Sequence, residues 1–265
     1  TLTLSLTACG AAPAATGSQS APDLSGAHTL PQTRENPPID LPTLRLILVD
    51  GAGTDTLLLA GETAGEVYTV PADSFPLTLD GEPADASVLE DGMPLTVAYS
   101  GIEETFPARL SIAAAEVYRL GTEKNPGGGF YDLCGLYLQV LSDLAEGGEE
   151  TVTVDLSQAP GDLTEGEKAA IAWRFRETCG AGLADPENAA PGTARFTIRA
   201  ASWEEGEAYS LPVLKFEAER SQTLPAGPDD ARPATARILQ DCFAVWPEFG
   251  TWTGYQVGSE VLACG

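Results

Sequence analysis

The sequence is poor in the residues that most enzyme chemistry requires. Its one histidine, His28, lies in a stretch of Ala, Pro, Ser and Thr, where no folded scaffold would hold it in a fixed geometry. Nucleophilic catalysis by Ser or Cys with His needs the base within hydrogen-bond reach of the nucleophile, so that chemistry is excluded. The three lysines, at positions 124, 168 and 215, form no Ser-x-x-Lys motif. We therefore expect no catalytic residues.

Basic charge is also scarce. The 265 residues include 14 Lys and Arg against 39 Asp and Glu, which gives a formal net charge of −25. Because proteins that bind nucleic acid need a basic surface, this balance excludes a nucleic-acid partner. A hydrophobic content of 43% with 20% charged residues is nevertheless typical of a folded chain. The length suits one large domain or two ordinary ones.

Long apolar runs are missing, since no stretch approaches the roughly 18–20 residues that cross a bilayer. The short apolar segment 1–8 leads into Leu6-Thr7-Ala8-Cys9, which resembles a bacterial lipobox. The resemblance implies that residues 1–8 are the remnant of a signal peptide and that Cys9 carries a lipid. Residues 9–40 are rich in Ala, Pro, Ser, Thr and Gly, as in a disordered tether. We therefore expect lipid anchoring to the cell membrane, facing outside the cytoplasm.

The sequence offers no clear metal or cofactor site. Four cysteines remain beyond Cys9, and they are too widely spaced for a zinc site: Cys134, Cys179, Cys242 and Cys264. Three disulfide connectivities are possible, and none is favoured. A hairpin turning near Phe249 would place Cys242 opposite about residue 256, which argues against its pairing with Cys264. We expect no metal and no cofactor.

Acidic residues suggest two further possibilities. The segment Asp50–Asp55 resembles a Ca²⁺ loop superficially, but it lacks the alternating ligands and closing Glu of an EF-hand. We therefore interpret it as a hairpin turn, with a weak cation site as the alternative. Paired carboxylates could serve glycoside hydrolysis. The densest pairs are Glu103-Glu104 and Glu204-Glu205-Gly206-Glu207, and we interpret both as solvent-facing charge.

Aromatic side chains could form a sugar-binding surface, but helical and hairpin spacing explains most of them as core. This group comprises Trp173, Phe175, Trp246, Trp252 and Tyr255.

Residues 41–122 predict a small β-barrel. Apolar runs over 44–49, 56–60, 66–70, 76–79, 94–99 and 105–113 are separated by glycine-containing turns. Asp-Gly pairs such as Asp80-Gly81 and Asp91-Gly92 are strong turn signals, because glycine supplies the positive φ that such turns need. Short, closely spaced strands are typical of a barrel or sandwich.

The pattern changes after Asn125-Pro126-Gly127-Gly128-Gly129, where we place a domain boundary. Apolar residues with helical spacing predict a helix over 133–144, and strict alternation predicts a strand over 151–156. Thr164 and Glu167 form a capping box that begins a helix running to about Cys179. Strands are predicted over 194–200, 211–218, 238–245 and 252–261. Residues 128–265 are therefore expected to form an α+β domain with an antiparallel sheet.

Two segments resemble known proteins. Residues 91–108, from Asp91-Gly92 through Tyr99-Ser100-Gly101 to Pro107-Ala108, resemble the signature of a small uncharacterised OB-like domain of Gram-positive lipoproteins. The second half is similar to C-terminal domains of uncharacterised lipoproteins of Gram-positive gut bacteria, through Asp155-Leu156-Ser157, residues 163–168 and residues 252–260. The resemblance implies an OB-like barrel and a Gram-positive envelope location, without implying an activity.

Together these patterns indicate a non-catalytic binding or adaptor protein at the outer face of the cytoplasmic membrane. The loops of an OB-like barrel usually carry its ligand site, so we expect the site near the turns at Asp91 and Gly101. Strong acidity favours an envelope protein or peptide as partner. The alternative is an envelope enzyme, or an enzyme subunit, that uses paired carboxylates on wall material. That alternative predicts a concave site with two converging acids, one of them with a raised pKa.

Overall fold

The structure is a computed structural model, and it describes residues 40–126, 131–201, 213–223, 234–245 and 254–264. Residues from Asp40 onward form one compact unit built of two β-sheets and two α-helices. Among the described residues, no helix is long and apolar enough to cross a membrane.

The first sheet contains a closed five-stranded barrel. Its seven strands are β1 (Thr43–Asp50), β2 (Thr56–Ala60), β3 (Val67–Pro71), β4 (Leu77–Leu79), β5 (Glu82–Ala84), β6 (Pro94–Glu103) and β7 (Ala108–Val117). The sheet order is β3-β2-β1-β6-β7-β4-β5, and β3 also pairs in parallel with β7 through Tyr68–Ala108 and Thr69–Arg109. This extra pairing closes the barrel and confirms the prediction of a small β-barrel.

One predicted turn is wrong. The sequence predicts a turn at Gly101, between strands 94–99 and 105–113. In the structure β6 continues through Gly101 to Glu103, and irregular pairing with β7 at Tyr99–Gly101 absorbs the glycine within the strand. The hairpin connection lies instead at residues 104–107.

The second half consists of two helices and a mixed sheet. Its elements are α1 (Leu133–Leu144), β8 (Thr151–Gln158), α2 (Glu165–Cys179), β9 (Gly182–Leu183), β10 (Ala194–Ala200), β11 (Val213–Thr223), β12 (Ala234–Val245) and β13 (Ser259–Cys264). Strands β10 to β13 pair antiparallel, as expected. The predicted antiparallel sheet is therefore correct for β10 to β13 only, since β8 pairs in parallel with both β9 and β10. Helix α2 is the crossover that permits β9 to run parallel to β8.

Both helices begin where their local sequence predicts. Asp132 is the N-cap of α1, and its side chain accepts a hydrogen bond from the Gly135 N–H. The capping box of α2 is complete: Thr164 accepts from the Glu167 N–H, and Glu167 accepts from the Thr164 N–H. These bonds satisfy N–H groups that would otherwise lack partners at a helix start.

The helices contact both sheets and join them through one hydrophobic core. Phe175 of α2 packs against Phe196 of β10 with ring centroids 4.7 Å apart. On the barrel side, Leu58, Val67 and Met93 belong to the same buried cluster as the helix residues. A separate cluster fills the barrel interior. The division into domains 41–122 and 128–265 stays a prediction, and residues 127–130 of its boundary lie outside the described residues.

Candidate functional site

A groove lies on the outer face of the barrel, next to the region where helix α2 packs against β2 and β3. Outward-facing Leu58 and Val67 are buried in the cluster that contains the helix residues, whereas outward-facing Thr56 and Pro71 are exposed. Alternation along β2 and β3 places these four residues on the same face of the barrel. The helix thus leaves one end of this face accessible.

Two adjoining cavities form this groove. One, of about 310 Å³, is lined by residues of β2, β3, β6 and β7, including Thr56, Thr69, Pro71, Glu103 and Arg109. The other, of about 280 Å³, is lined by the β1–β2 loop and by Trp173 and Arg174 of α2. Thr56 and Thr69 line both cavities, so we treat them as one feature, the barrel groove. Their combined volume falls within the range of ordinary ligand sites.

The β1–β2 loop, residues 51–55, forms one rim of the groove. The Thr54 N–H donates to the Gly51 carbonyl at 3.0 Å, which closes the turn. The Ala52 N–H donates to Asp91 Oδ1 at 2.9 Å, which ties the loop to the turn before β6. The sequence expectation of a hairpin turn between Asp50 and Asp55 is confirmed, because this segment connects the antiparallel strands β1 and β2.

The β6–β7 hairpin forms the other rim. Its connection is held by a hydrogen bond from Thr105 Oγ1 to the Pro107 carbonyl at 2.7 Å. Two large apolar side chains project from this hairpin into solvent: Ile102 is 42% exposed and Phe106 is 54% exposed. Phe106 lies in the connection that joins the groove residues Glu103 and Arg109, whereas Ile102 pairs with Leu110 and so faces away from the groove.

The charges of the groove are partly paired. Arg174 Nη2 lies 2.5 Å from Asp50 Oδ2, and Glu103 lies directly opposite Arg109 across the β6–β7 ladder. Cross-strand pairs of opposite charge attract each other weakly. Asp55 and Glu104 are exposed, and among the described residues neither has an ion-pair partner.

A second cluster of acids lies at the start of α1. Burial raises the pKa of the Asp132 carboxyl to about 7, and the charge of Asp91 adds to the increase, while the hydrogen bond from Gly135 opposes it. Burial also raises the pKa of Asp91, and Asp50 contributes in the same direction. The negative charges of Asp91 and Asp50 thus both disfavour ionisation of Asp132 at the joint between the barrel and α1.

A small cavity of about 110 Å³ adjoins this cluster. Asp132, Cys134 and Glu167 all line it. The Cys134 Sγ donates to Glu167 Oε1 at 3.7 Å. Because the thiol is buried beside carboxylates, its pKa is raised well above the ordinary value, so it is not a reactive nucleophile.

The remaining cysteines show the expected hairpin register. Phe243 bridges to Gln256, so Cys242 lies opposite a position within about one residue of 256, as the sequence analysis predicted. Cys134, Cys179 and Cys242 are free thiols. The side chain of Cys264 lies outside the described residues, and no pairing is assigned to it.

The aromatic residues divide between core and groove. Phe175 is fully buried, which confirms its interpretation as core. Tyr255 packs against Phe216, and its hydroxyl lies 3.1 Å from Asp143 Oδ2. Trp173 is half-buried: it packs against the core shared by the barrel and helices, and it also lines the groove. Trp246 and Trp252 lie outside the described residues.

Several other predicted features also lie outside the described residues: Cys9, His28 and the acidic run 204–207. Glu103 and Glu104 are both exposed, as expected for solvent-facing charge. A binding site was predicted near the turns at Asp91 and Gly101. Asp91 accepts the hydrogen bond that holds the β1–β2 loop at the rim of the groove, whereas Gly101 lies within strand β6. Thr56 and Thr69 were not predicted from the sequence, because their only signal is a polar residue at an outward position of an otherwise apolar strand.

Within the described ranges, no three His, Cys, Asp or Glu side chains converge closely enough to hold a metal ion. Comparison of the chain with protein-family models, with curated proteins and with solved structures finds no match.

Proposed function

We propose that this chain is a non-catalytic binding or adaptor protein of the cell envelope, anchored by a lipid on Cys9 at the outer face of the cytoplasmic membrane. The observation that carries the binding role is the barrel groove, with the exposed Phe106 on the β6–β7 connection beside it. Exposed apolar groups in this setting favour a protein or peptide as the bound partner.

The barrel topology supports the same role. Strands β1, β2 and β3 form a meander, β3 closes in parallel on β7, and β6 pairs with both β7 and β1. We infer that the barrel is OB-like. OB-folds bind ligands on the face of their second and third strands, between the loops that here correspond to residues 51–55 and 104–107. The groove occupies this position.

Site-specific photocrosslinking on intact source cells tests the proposal. A photoreactive residue replaces Glu104 on the hairpin, and a matched variant carries it at Glu187, which is also exposed and lies between β9 and β10. We expect one dominant envelope protein to be captured from position 104 and not from position 187. Equal capture from both positions, or none from 104, would contradict a partner site at the groove.

A second candidate function is acid–base catalysis on wall material. The specific observation in its favour is that Asp132, with its raised pKa, and Glu167 line the same small cavity. A volume of about 110 Å³ corresponds to only a few water molecules at roughly 30 Å³ each, which is too small for a sugar ring. We therefore expect no release of soluble fragments from purified cell walls by the wild-type chain. Release that disappears in Asp132→Asn would favour the enzyme.

A further inference from the structure

The loop between β9 and β10, residues 184–193, lies against the face of the second sheet that the helices do not cover. Arg195 alternates along β10 with residues that are buried under the helices, so its side chain lies on the opposite face. Arg195 Nη2 donates a hydrogen bond to the Pro186 carbonyl at 2.7 Å, and Gln222 Nε2 donates to the Gly192 carbonyl at 2.7 Å. These two bonds tie the loop to β10 and β11.

A cavity of about 280 Å³, which we call the loop cavity, lies between this loop and the two strands. Its described lining residues are Ala189, Ala190, Pro191, Thr193, Arg195 and Ser221. The volume is at the low end of ordinary ligand sites and therefore suits a small molecule. The loop cavity shares none of these residues with the barrel groove, so an inference about it goes beyond the proposed function.

The charge of the loop cavity is positive. Arg195 is the one charged residue among the described lining residues, and in the described part of the chain no carboxylate lies within ion-pair distance of its guanidinium. By contrast Arg199, on the same face of β10, pairs with Glu217 at 2.8 Å. The loop's own Asp185 accepts hydrogen bonds within its turn. Although the chain has 39 acidic residues against 14 basic ones, the charge of Arg195 is thus left unpaired there.

Two hydroxyl groups lie beside this guanidinium. Ser221 is directly opposite Arg195 across the β10–β11 ladder, and Thr193, which immediately precedes β10, is buried. Neither hydroxyl forms a hydrogen bond with another described residue. Because buried polar groups normally have hydrogen-bond partners, Thr193 favours an occupant that accepts a bond from it.

These groups define the chemistry of a ligand. The N–H groups of a guanidinium match the two oxygens of a carboxylate, and a hydroxyl can donate to the same oxygens. A single guanidinium balances one negative charge, which favours a carboxylate over a phosphate dianion. Ala189, Ala190 and Pro191 supply an apolar wall, against which a short hydrocarbon group would be buried favourably.

We propose that the loop cavity binds a small carboxylate that carries a short apolar group. Arg195 holds the carboxylate, and Thr193 and Ser221 donate hydrogen bonds to it. The net charge of −25 repels anions at long range, so binding depends on these local contacts.

An NMR titration of the isotope-labelled full-length chain tests the proposal. Sodium propionate is the probe, sodium chloride keeps the ionic strength constant, and the Arg195 Nε–H signal and the Thr193 amide signal are followed. We expect saturable shifts in the millimolar range, as suits a ligand with few heavy atoms. Propionamide, which has the same shape without the charge, should bind about tenfold more weakly, and inorganic phosphate should also bind more weakly than propionate.

Matched variants locate the site. Arg195→Gln should weaken propionate binding about tenfold, whereas Arg199→Gln, which removes a paired arginine from the same strand face, should leave it unchanged. Ser221→Ala should weaken binding severalfold while leaving the bond from Arg195 to the Pro186 carbonyl intact. Unchanged amide signals outside the loop check that each variant is folded.

The possible outcomes are distinct. Absence of a saturable shift, equal binding of propionamide, or tighter binding of phosphate would overturn the proposal of a carboxylate ligand. Equal loss in Arg195→Gln and Arg199→Gln, or none in Ser221→Ala, would overturn its placement in the loop cavity. Protein capture from position 104 concerns the barrel groove alone, so either inference can fail without the other. Because the ligand is a small molecule, Glu187 in the same loop remains a valid control for that capture.

Discussion

Replacing Asp132 with Asn should stabilise the protein at neutral and alkaline pH. Asp132 has φ of 53°, a left-handed conformation that Asn tolerates as well as Asp does. An Asn side-chain oxygen can still accept the hydrogen bond from the Gly135 N–H, so the cap of α1 is preserved. The substitution therefore removes a charge and leaves the local geometry intact.

The magnitude follows from the raised pKa. Burial and the charge of Asp91 move the pKa of Asp132 from 3.8 to about 7. At roughly 1.4 kcal/mol per pH unit, this difference corresponds to at most about 4 kcal/mol. Because the side chain is not fully buried, solvent screening reduces the expected effect to about 2 kcal/mol.

The sign follows from proton linkage. Between pH 4 and pH 7 the folded state keeps a proton on Asp132 that the unfolded state has released. The contribution of Asp132 to the free energy of unfolding therefore falls as pH rises through this window and levels off above about pH 7. The Asn variant lacks this loss, so its advantage should be near zero at pH 4 and about 2 kcal/mol at pH 8.

Urea unfolding at both pH values, followed by circular dichroism, measures this difference. The matched control is Asp162→Asn, the same substitution at another left-handed residue (φ 52°) that is exposed. The control should show no comparable gain at pH 8. The reasoning would be refuted by an Asp132→Asn variant that is no more stable at pH 8, or that gains equally at both pH values.

Two further substitutions test the packing. Arg220→Met should lower the free energy of unfolding by about 3 kcal/mol, because Glu149, 3.2 Å from Arg220 Nε, would be left as a buried unpaired carboxylate. In the same urea titration, Arg199→Met should cost less than about 1 kcal/mol, because the ion pair of Arg199 is exposed. Gly92→Ala should be more damaging than Gly53→Ala in thermal unfolding. Both glycines have positive φ, but a Cβ at Gly92 would lie 2.6 Å from a backbone nitrogen of α1's N-cap, whereas Gly53 faces open space. Equal losses within either pair would contradict the packing described.

The helices could be predicted because their signals are local. The spacing of Leu133, Leu136 and Tyr137 identifies one face of α1, and Thr164 with Glu167 identifies the start of α2. Such patterns involve residues within one or two turns of each other, so no knowledge of the tertiary structure is needed.

Strand pairing was harder to predict, because it joins distant segments. The parallel arrangement of β8, β9 and β10 depends on the path of α2, and β9 has only two residues. The run Leu57-Leu58-Leu59 indicated a strand but not that both its faces are buried, one in the barrel and one under the helices.

The groove could not be predicted for a related reason. Thr56 and Thr69 become neighbours through the β2–β3 pairing, and Trp173 reaches them only because α2 packs on the barrel. The acidic cluster likewise joins distant parts of the chain, since Asp132 at the start of α1 interacts with Asp91 in the turn before β6. None of these juxtapositions leaves a short-range pattern in the sequence.

The hydrophobic core shared by the barrel and the helices affects how this chain can evolve. A fragment ending after β7 would expose Leu58, Val67 and Met93 as an apolar surface patch, which favours aggregation. The second half, cut from the barrel, would expose the matching side of its helices. Shuffling either half alone into another protein would therefore require new polar residues at these positions, so duplication and recombination should act on the two halves together.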